Sequence, residues 1–256
     1  MAGMNRPVDA SGQDDDRARE LEERLGAVRD RISAAAAAAR RPVPELIVVT
    51  KYFPASDVRI LAGLGVTDVG ENRDQEAAAK AAELEPLGLA WHFIGQLQTN
   101  KAKSVVRYAR SVHSVDRAPL VSALGKAVAA EQERRAAAGR DARSDLDCFL
   151  QFTLDEDAGS GGRGGALPEE AGALAEAVAA EDGLRLAGVM AVAPLGVPPA
   201  RAFARLLGIA GTVRAVDPSA SAVSAGMSGD LEDAVAAGAT HLRIGSDVLG
   251  PRPAVG

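Results

Sequence analysis

The sequence of 256 residues holds one cysteine, one tryptophan and two tyrosines, and aromatic side chains make up only 3% of it. A single thiol, Cys148, forms no internal disulfide and assembles no thiolate metal site. Set in an apolar run, it reads as an inert part of a core. No stretch of about 18 consecutive apolar residues occurs, which excludes a membrane-spanning helix. The first residues lack an apolar segment of signal-peptide character, so the expectation is a cytoplasmic protein. Positive charge is not in excess either. The 29 Lys+Arg stand against 35 Asp+Glu for a net charge of −6, a balance that argues against a broad nucleic-acid footprint. Lysine is scarce: of the 29 basic residues, 24 are arginine and 5 are lysine. Arginine replaces lysine on a surface, but not where chemistry needs a primary amine that can lose its proton. Each remaining lysine therefore invites a reason.

What is present is ordinary for a folded chain: 47% hydrophobic and 25% charged residues. The length suits one α/β barrel, which takes about 250 residues. Residues 1–14 are polar and read as a disordered tail, leaving 15–256 as a single domain. Leu21, Leu25, Val28 and Ile32 recur at spacings of three and four within Asp15–Ala39 and predict a helix, which Pro42 and Pro44 end. Strands are then expected at Leu46–Thr50, Thr67–Val69, Leu89–Ile94, Ser111–Ser114, Leu146–Leu154, Leu184–Val192, Ala220–Ala225 and His241–Ile244. Helices are expected between them, at Asp57–Leu64, Arg73–Leu84, Asn100–Tyr108, Ala118–Ala138, Glu169–Ala180, Pro199–Val216 and Gly229–Ala237, with a short turn after Ser246. Strict alternation of strand and helix implies a parallel sheet with right-handed crossovers. The fold expected is an α/β (β/α)8 TIM barrel with an extra N-terminal helix. An open doubly wound sheet is the alternative, but no Gly-rich dinucleotide turn follows the first strand, which runs into TKYFPAS.

In such a barrel, function sits where strands run into loops at their C-terminal ends. Lys51 follows the buried run LIVVT, where desolvation disfavours an ammonium and a neutral amine attacks carbonyls; a snorkelling or salt-bridged lysine is the plain alternative. Tyr52, next in a continuing strand, would face away from it. Glu71 and Asn72 end the second strand, and Asn72 also suits a helix cap. Gln96, Gln98 and Asn100 in WHFIGQLQTNK either line a polar pocket or cap the next helix. His92, His113 and His241 lie on three strands without metal-ligand spacing, which favours structural roles. The Gly159–Gly165 stretch lacks the Lys-Ser/Thr ending of a phosphate loop and reads as surface. Strand seven runs into SAGMSGD and strand eight into RIGS. Two hydroxyl-bearing segments thus meet helix starts on neighbouring strands, a pattern that holds phosphate or simply caps helices. An inward Arg243 sets a permanent positive charge near Lys51, or pairs with an acid such as Glu71. A lysine, a phosphate-binding end and an arginine match the aldehyde, phosphate and ring nitrogen of pyridoxal 5′-phosphate.

The strings VVTKYFPASDV, DVGENRDQE, WHFIGQLQTNK, VHSVDR, SAGMSGDLEDAVAAGAT and LRIGSDVLG run from Val48 to Gly250. They resemble, in order, the pyridoxal phosphate homeostasis proteins, single-domain relatives of the alanine racemase barrel. The resemblance implies that Lys51 forms the internal aldimine with pyridoxal 5′-phosphate. It implies that Ser228, Gly245 and Ser246 bind the phosphate, that Arg243 faces the ring nitrogen, and that Asn72 and Met227 lie near the cofactor. This sequence departs from the family at TKYFP, where many members have SKTKP, and at Ser246, where threonine is commoner. It also departs at Gly188–Pro194 and in a more glycine-rich loop over Asp155–Gly165.

Two functions stay open on this reading. One is a carrier that buffers the cofactor without dedicated catalytic turnover and hands it to PLP-dependent apoenzymes, acting as a monomer without nucleic acid or membrane. The other is an amino-acid racemase or related low-activity enzyme of the same fold. Racemases of this fold take a second base, typically a tyrosine, from an added β domain of about 100 residues. The sequence ends six residues after Gly250, and Tyr108 is expected on a helix. A phosphosugar isomerase would use Glu71 or His92 as base. The carrier is the expected function, with Lys51 as its Schiff-base lysine and no dedicated catalytic residue.

Overall fold

The first strand of this computed structural model, which describes residues 10–155 and 164–252, is a short apolar, β-branched run of the kind a parallel sheet buries on both faces. β1 (Glu45–Val49) reads ELIVV, and its last three residues are buried. It is followed by β2 (Asp68–Glu71), β3 (Ala90–Phe93), β4 (Ala109–Val115), β5 (Leu146–Gln151), β6 (Leu184–Met190), β7 (Ala222–Ser224) and β8 (His241–Ile244). Each strand pairs in parallel with the next, and β8 closes on β1. The closing ladder sets Glu45 opposite His241 and Ile47 opposite Arg243, which excludes the open sheet. The fold is a (β/α)8 TIM barrel.

The helices are α1 (Ala10–Ala39), α2 (Ala55–Gly63), α3 (Asp74–Glu83), α4 (Ala102–Tyr108), α5 (Ala118–Ala137), α6 (Ala171–Ala179), α7 (Pro199–Val216), α8 (Leu231–Ala237) and α9 (Ser246–Leu249). A proline lies in the first turn of both α5 and α7, where its fixed φ is already helical and no N–H is needed. α1 stands outside the alternation. Its stripe of Leu21, Leu25, Val28, Ile32 and Ala36 is buried, as the three-and-four spacing requires, and it packs against α2, α8 and α9. The helix begins at Ala10, ahead of the expected Asp15, while residues 1–9 lie outside the described residues.

Other boundaries move for identifiable reasons. β2 runs on to Glu71, so that residue belongs to the strand. β5 stops at Gln151, and Phe152 makes only a single bridge, to Ala166. The glycine-rich residues 156–163 lie outside the described residues. α8 begins at Leu231 and not at Gly229, because the Asp230 carboxylate first closes a turn by accepting the Met227 N–H at 2.6 Å. Among the described residues no helix is long and apolar enough to cross a membrane.

The barrel interior is polar towards its N-terminal end. His92 Nε2 meets Asp68 Oδ1 at 2.9 Å, and its Nδ1 meets Ser111 Oγ at 2.6 Å and His113 Nε2 at 3.0 Å. His113 Nδ1 meets Ser224 Oγ at 2.9 Å, and its ring stacks on Phe149 at 4.0 Å. The histidines thus bond within the core, and among the described residues no group of three His, Cys, Asp or Glu side chains is arranged to hold a metal. Cys148 is fully buried, and burial pushes its thiol up to about 12, which leaves it protonated and inert.

Candidate functional site

Strands β7, β8, β1 and β2 are consecutive around the barrel, and the residues that the resemblance assigns to the cofactor lie at or near the C-terminal ends of these four. Lys51 is the second residue beyond β1 and is half-buried. Asn72 follows β2, Met227 and Ser228 follow β7, Arg243 lies within β8, and Gly245 and Ser246 open α9. Chain positions about 190 residues apart therefore meet through the β1–β8 ladder.

At the β7–β8 end, Ser228 Oγ lies 3.2 Å from Ser246 Oγ, so two hydroxyls from adjacent loops converge. Gly226 shapes the approach. It has φ +95°, and a Cβ there would meet the side chains of Ala234 and Leu242 at 2.6 Å. Ser228 is not a helix cap, since the turn up to Asp230 separates it from α8.

Arg243 is buried. Its Nη1 donates to Ser224 Oγ at 2.6 Å and its Nη2 to the Ala191 carbonyl at 3.0 Å, which fixes the guanidinium inside the barrel. Burial pushes Arg243 down to about 10, with the Asp230 charge acting the other way, so it keeps its positive charge at neutral pH. A salt bridge from Arg243 to Glu71, left open by the sequence, does not form: Glu71 pairs with Lys80 instead, at 2.7 Å.

Asn72 is not the cap of α3 either. That position belongs to Arg73, and Asn72 Oδ1 is buried without a hydrogen-bond partner. Gly95 holds this geometry, because a Cβ there would lie within 2.8 Å of the Asn72 α-carbon. Gln96 and Gln98 line a cavity of about 570 Å³ together with Asn72, Glu76 and Lys101, and Gln98 also stands at the N-cap position of the next turn, where its side chain makes no capping bond. Asn100 falls in a short 3-10 turn, Thr99–Lys101.

Tyr52 corrects an expectation. Strict strand alternation predicts that it faces away from Lys51. The strand ends at Val49, however, and Tyr52 adopts φ +73°, a left-handed conformation that costs a non-glycine residue about 1 kcal/mol. Its ring consequently lies beside Lys51, whose Nζ is 5.8 Å from the ring centroid, and Arg252 covers the ring at 3.6 Å. Tyr108 ends α4 on the outer layer near Asp74, and burial raises its hydroxyl above the ordinary value, so it stays protonated.

The sequence reading missed the cluster beneath Lys51. Lys80, on α3, is buried and donates to the Thr50 carbonyl at 3.0 Å, to Glu71 Oε1 at 2.7 Å and to Glu76 Oε1 at 2.9 Å. Burial pushes the Glu71 carboxyl above the usual carboxylate range, against the Lys80 hydrogen bond. At Glu76 burial acts the same way, but the Lys80 bond and the Tyr52 N–H outweigh it, and the carboxyl lies below its ordinary value. A signal was present: Glu76 and Lys80 stand four apart on a helix, just after a strand that ends in Glu71, in a chain with 5 lysines.

The geometry can be set beside known proteins. The family model described as "Alanine racemase, N-terminal domain" matches residues 24–253. The pyridoxal phosphate homeostasis protein of Mycobacterium tuberculosis is 44% identical over 249 residues, covering 93% of this chain and 95% of that protein. Its namesake in Escherichia coli K12 is 35% identical over 237 residues, covering 89% and 95%. Among solved structures, PipY of Synechococcus elongatus PCC7942 with PLP bound is 31% identical at a TM-score of 0.74, covering 90% of this chain and all of that one. By this family match and these identities over most of the chain, this protein belongs to the pyridoxal phosphate homeostasis protein family, within the alanine racemase N-terminal domain group.

Proposed function

We propose that this protein binds pyridoxal 5′-phosphate at the mouth formed by β7, β8, β1 and β2, and takes part in the homeostasis of that cofactor as a carrier. The observation that carries the reading is the convergence of Ser228 Oγ and Ser246 Oγ to 3.2 Å on loops beside the strand that delivers Lys51. The residues present suit the group. Two hydroxyls with neighbouring backbone amides, including that of Gly245, suit a phosphate. The permanent cation of Arg243 suits a ring nitrogen that is to stay unprotonated, and the unpartnered Oδ1 of Asn72 is an acceptor awaiting a donor. Met227 borders the same loop. When bound, the cofactor supplies an aldehyde that condenses with amines and a ring that withdraws electrons. Lys51 is the amine placed to hold it; arginine offers no such nucleophile, which accounts for a lysine at this position.

A carrier must also release its cargo, and PLP-dependent apoenzymes are the receivers that fit the role. The same reading takes the protein as a cytoplasmic monomer. The experiment is a visible spectrum of the purified protein. Loading should give a band near about 420 nm, characteristic of the cofactor held on an amine. Lys51→Ala should lose it. A protein that stays colourless with added cofactor sinks the proposal.

One observation favours a second reading, amino-acid racemisation: Tyr52 sits beside Lys51 and not away from it. Two-base exchange needs bases on opposite faces of the reacting carbon, however, and neighbours in sequence with Nζ 5.8 Å from the ring share one side. The carrier reading expects turnover on free amino acids far below the usual enzyme range of about 1–10³ per second. Turnover within that range, abolished by Tyr52→Phe, would establish the enzyme instead.

A further inference from the structure

Lys80 is one of 5 lysines in a chain with 24 arginines, and its side chain is 8% exposed. Its three acceptors, the Thr50 carbonyl, Glu71 Oε1 and Glu76 Oε1, lie at 3.0, 2.7 and 2.9 Å from one nitrogen. An ammonium has three protons on a single atom and satisfies all three acceptors. A guanidinium spreads its donors over a planar fork and cannot aim three of them from one point, so arginine is excluded here for a geometric reason.

Two of those acceptors reach the residue next door. The Thr50 carbonyl belongs to the peptide that enters Lys51. Glu76 Oε1 also accepts the Tyr52 N–H at 2.8 Å, and that N–H belongs to the peptide that leaves Lys51. The two peptide planes that meet at the Lys51 α-carbon are therefore held by one buried ammonium and one carboxylate, which reinforce a turn closed by the Phe53 N–H donating to the same Thr50 carbonyl at 3.1 Å. Thr50 is tied a second time, through its hydroxyl to Glu71 Oε1 at 2.7 Å. These ties stand where the chain departs from strand geometry into the left-handed conformation of Tyr52, which the local sequence alone does not favour.

We propose that Lys80 is a positioning residue for Lys51: through the Thr50 carbonyl and the Glu76 carboxylate it clamps both peptides flanking Lys51 and so fixes the direction in which the Lys51 amine leaves the barrel. The inference rests on the proposed role of Lys51 and deepens it. A displaced amine meets an aldehyde held by other residues at the wrong angle, and misplacement of a reacting atom by about 1 Å costs up to roughly a hundredfold in rate.

The test uses the full chain and two readouts. One is the rate constant for appearance of the cofactor band, with borohydride trapping and peptide mass analysis to show that Lys51 carries the cofactor. The other needs no cofactor: the rate at which acetic anhydride labels Lys51 in the cofactor-free protein, relative to Lys101 as internal standard. Glu76→Ala removes the acceptor for the Tyr52 N–H at a partly exposed side chain and should leave the fold intact, as read by circular dichroism. It should slow capture at Lys51 by roughly ten- to a hundredfold and change the labelling ratio. Glu76→Gln keeps a carbonyl oxygen for that N–H and should recover most of the rate. Lys80→Met combined with Glu71→Gln avoids a lone buried carboxylate and should show the same slow capture. Lys80→Arg should not rescue it. A merely structural Lys80 would lower the unfolding temperature in these variants while capture and labelling stayed at wild-type rates, and that result overturns the proposal. If the unaltered protein fails to take the cofactor, the parent reading falls, and the labelling ratio alone decides whether the clamp orients Lys51.

Discussion

On the proposed function Ser228 and Ser246 each offer the phosphate a single atom, and the expected effect of removing either is correspondingly local. A hydrogen bond to a charged group is worth about 1.5–3 kcal/mol, so Ser228→Ala or Ser246→Ala should each weaken cofactor binding by at least about tenfold. Titration of the absorbance band checks this, with unfolding midpoints unchanged because both hydroxyls sit at the surface of the mouth. Gly95→Ala belongs to the same scale by a different route: the added methyl collides with the Asn72 backbone, so cofactor affinity should fall although no contact atom is altered. At this scale the sequence was legible where chemistry dictates residue type. The placement of Lys51 beyond β1, of the hydroxyls after β7 and β8, and of Arg243 within β8 could be read without coordinates. The four-residue spacing of Glu76 and Lys80 marked an ion pair but not its link to Lys51, and the turn at Tyr52 left no mark. Lys80 acquires its meaning from a carbonyl 30 positions away, and the Tyr52 conformation sits in a turn closed by the Phe53 N–H on the Thr50 carbonyl and held to a helix by the Glu76 carboxylate, neither of which the strand pattern reveals.

Among the elements, α1 is the one outside the strand–helix repeat, and it reaches the site indirectly. Arg31 on this helix binds Glu232 in the first turn of α8 at 2.5 Å and Asp247 in the first turn of α9 at 2.9 Å. Arg17 adds a bond to Asp57 of α2 at 2.6 Å and one to the Leu249 carbonyl at 3.0 Å. α8, which follows the loop of Ser228, and α9, which Ser246 opens, are thus joined from outside by one guanidinium. Leu25→Ala, at a buried position in the α1 stripe, should cost about 2–5 kcal/mol, measured by urea unfolding. Arg31→Ala should cost less than about 1 kcal/mol, since the pairs are partly exposed, yet loosen cofactor binding because α8 and α9 lose their common tie. The stripe of α1 was plain in the sequence because a three-and-four spacing has one structural meaning. Its start was not, since polar residues at a helix end carry no period, and the end of β5 was obscured because apolar residues continue past the last ladder bond.

For the whole molecule, the polar filling of the lower barrel sets how stability responds to acid. Burial, with the neighbouring His92, Arg243 and His241, pushes His113 well below its ordinary 6.5. The unfolded chain takes up a proton at this histidine near 6.5 and the folded chain does not, so below that value the unfolded state binds more protons and stability is lost as pH falls. One such group contributes about 1.4 kcal/mol per pH unit. Urea midpoints followed from neutral pH down through the 6.5 region should fall on this account, and His113→Gln should flatten the decline. The barrel itself was legible from alternation alone. Its interior was not, because three histidines on separate strands gain partners only once the strands have closed on one another.

The closing ladder has a consequence for timing. Lys51 is made early in synthesis and Ser228, Arg243 and Ser246 near its end, and only the pairing of β8 with β1 brings them together. A nascent chain still lacking β8 therefore exposes the lysine without the hydroxyls or the arginine, and should not capture cofactor on the ribosome. A circular permutant opened at the glycine-rich segment between β5 and α6 places both halves of the site close in chain order and should acquire cofactor earlier in its synthesis. On the carrier reading, a closed barrel is therefore loaded only once its last strand is in place.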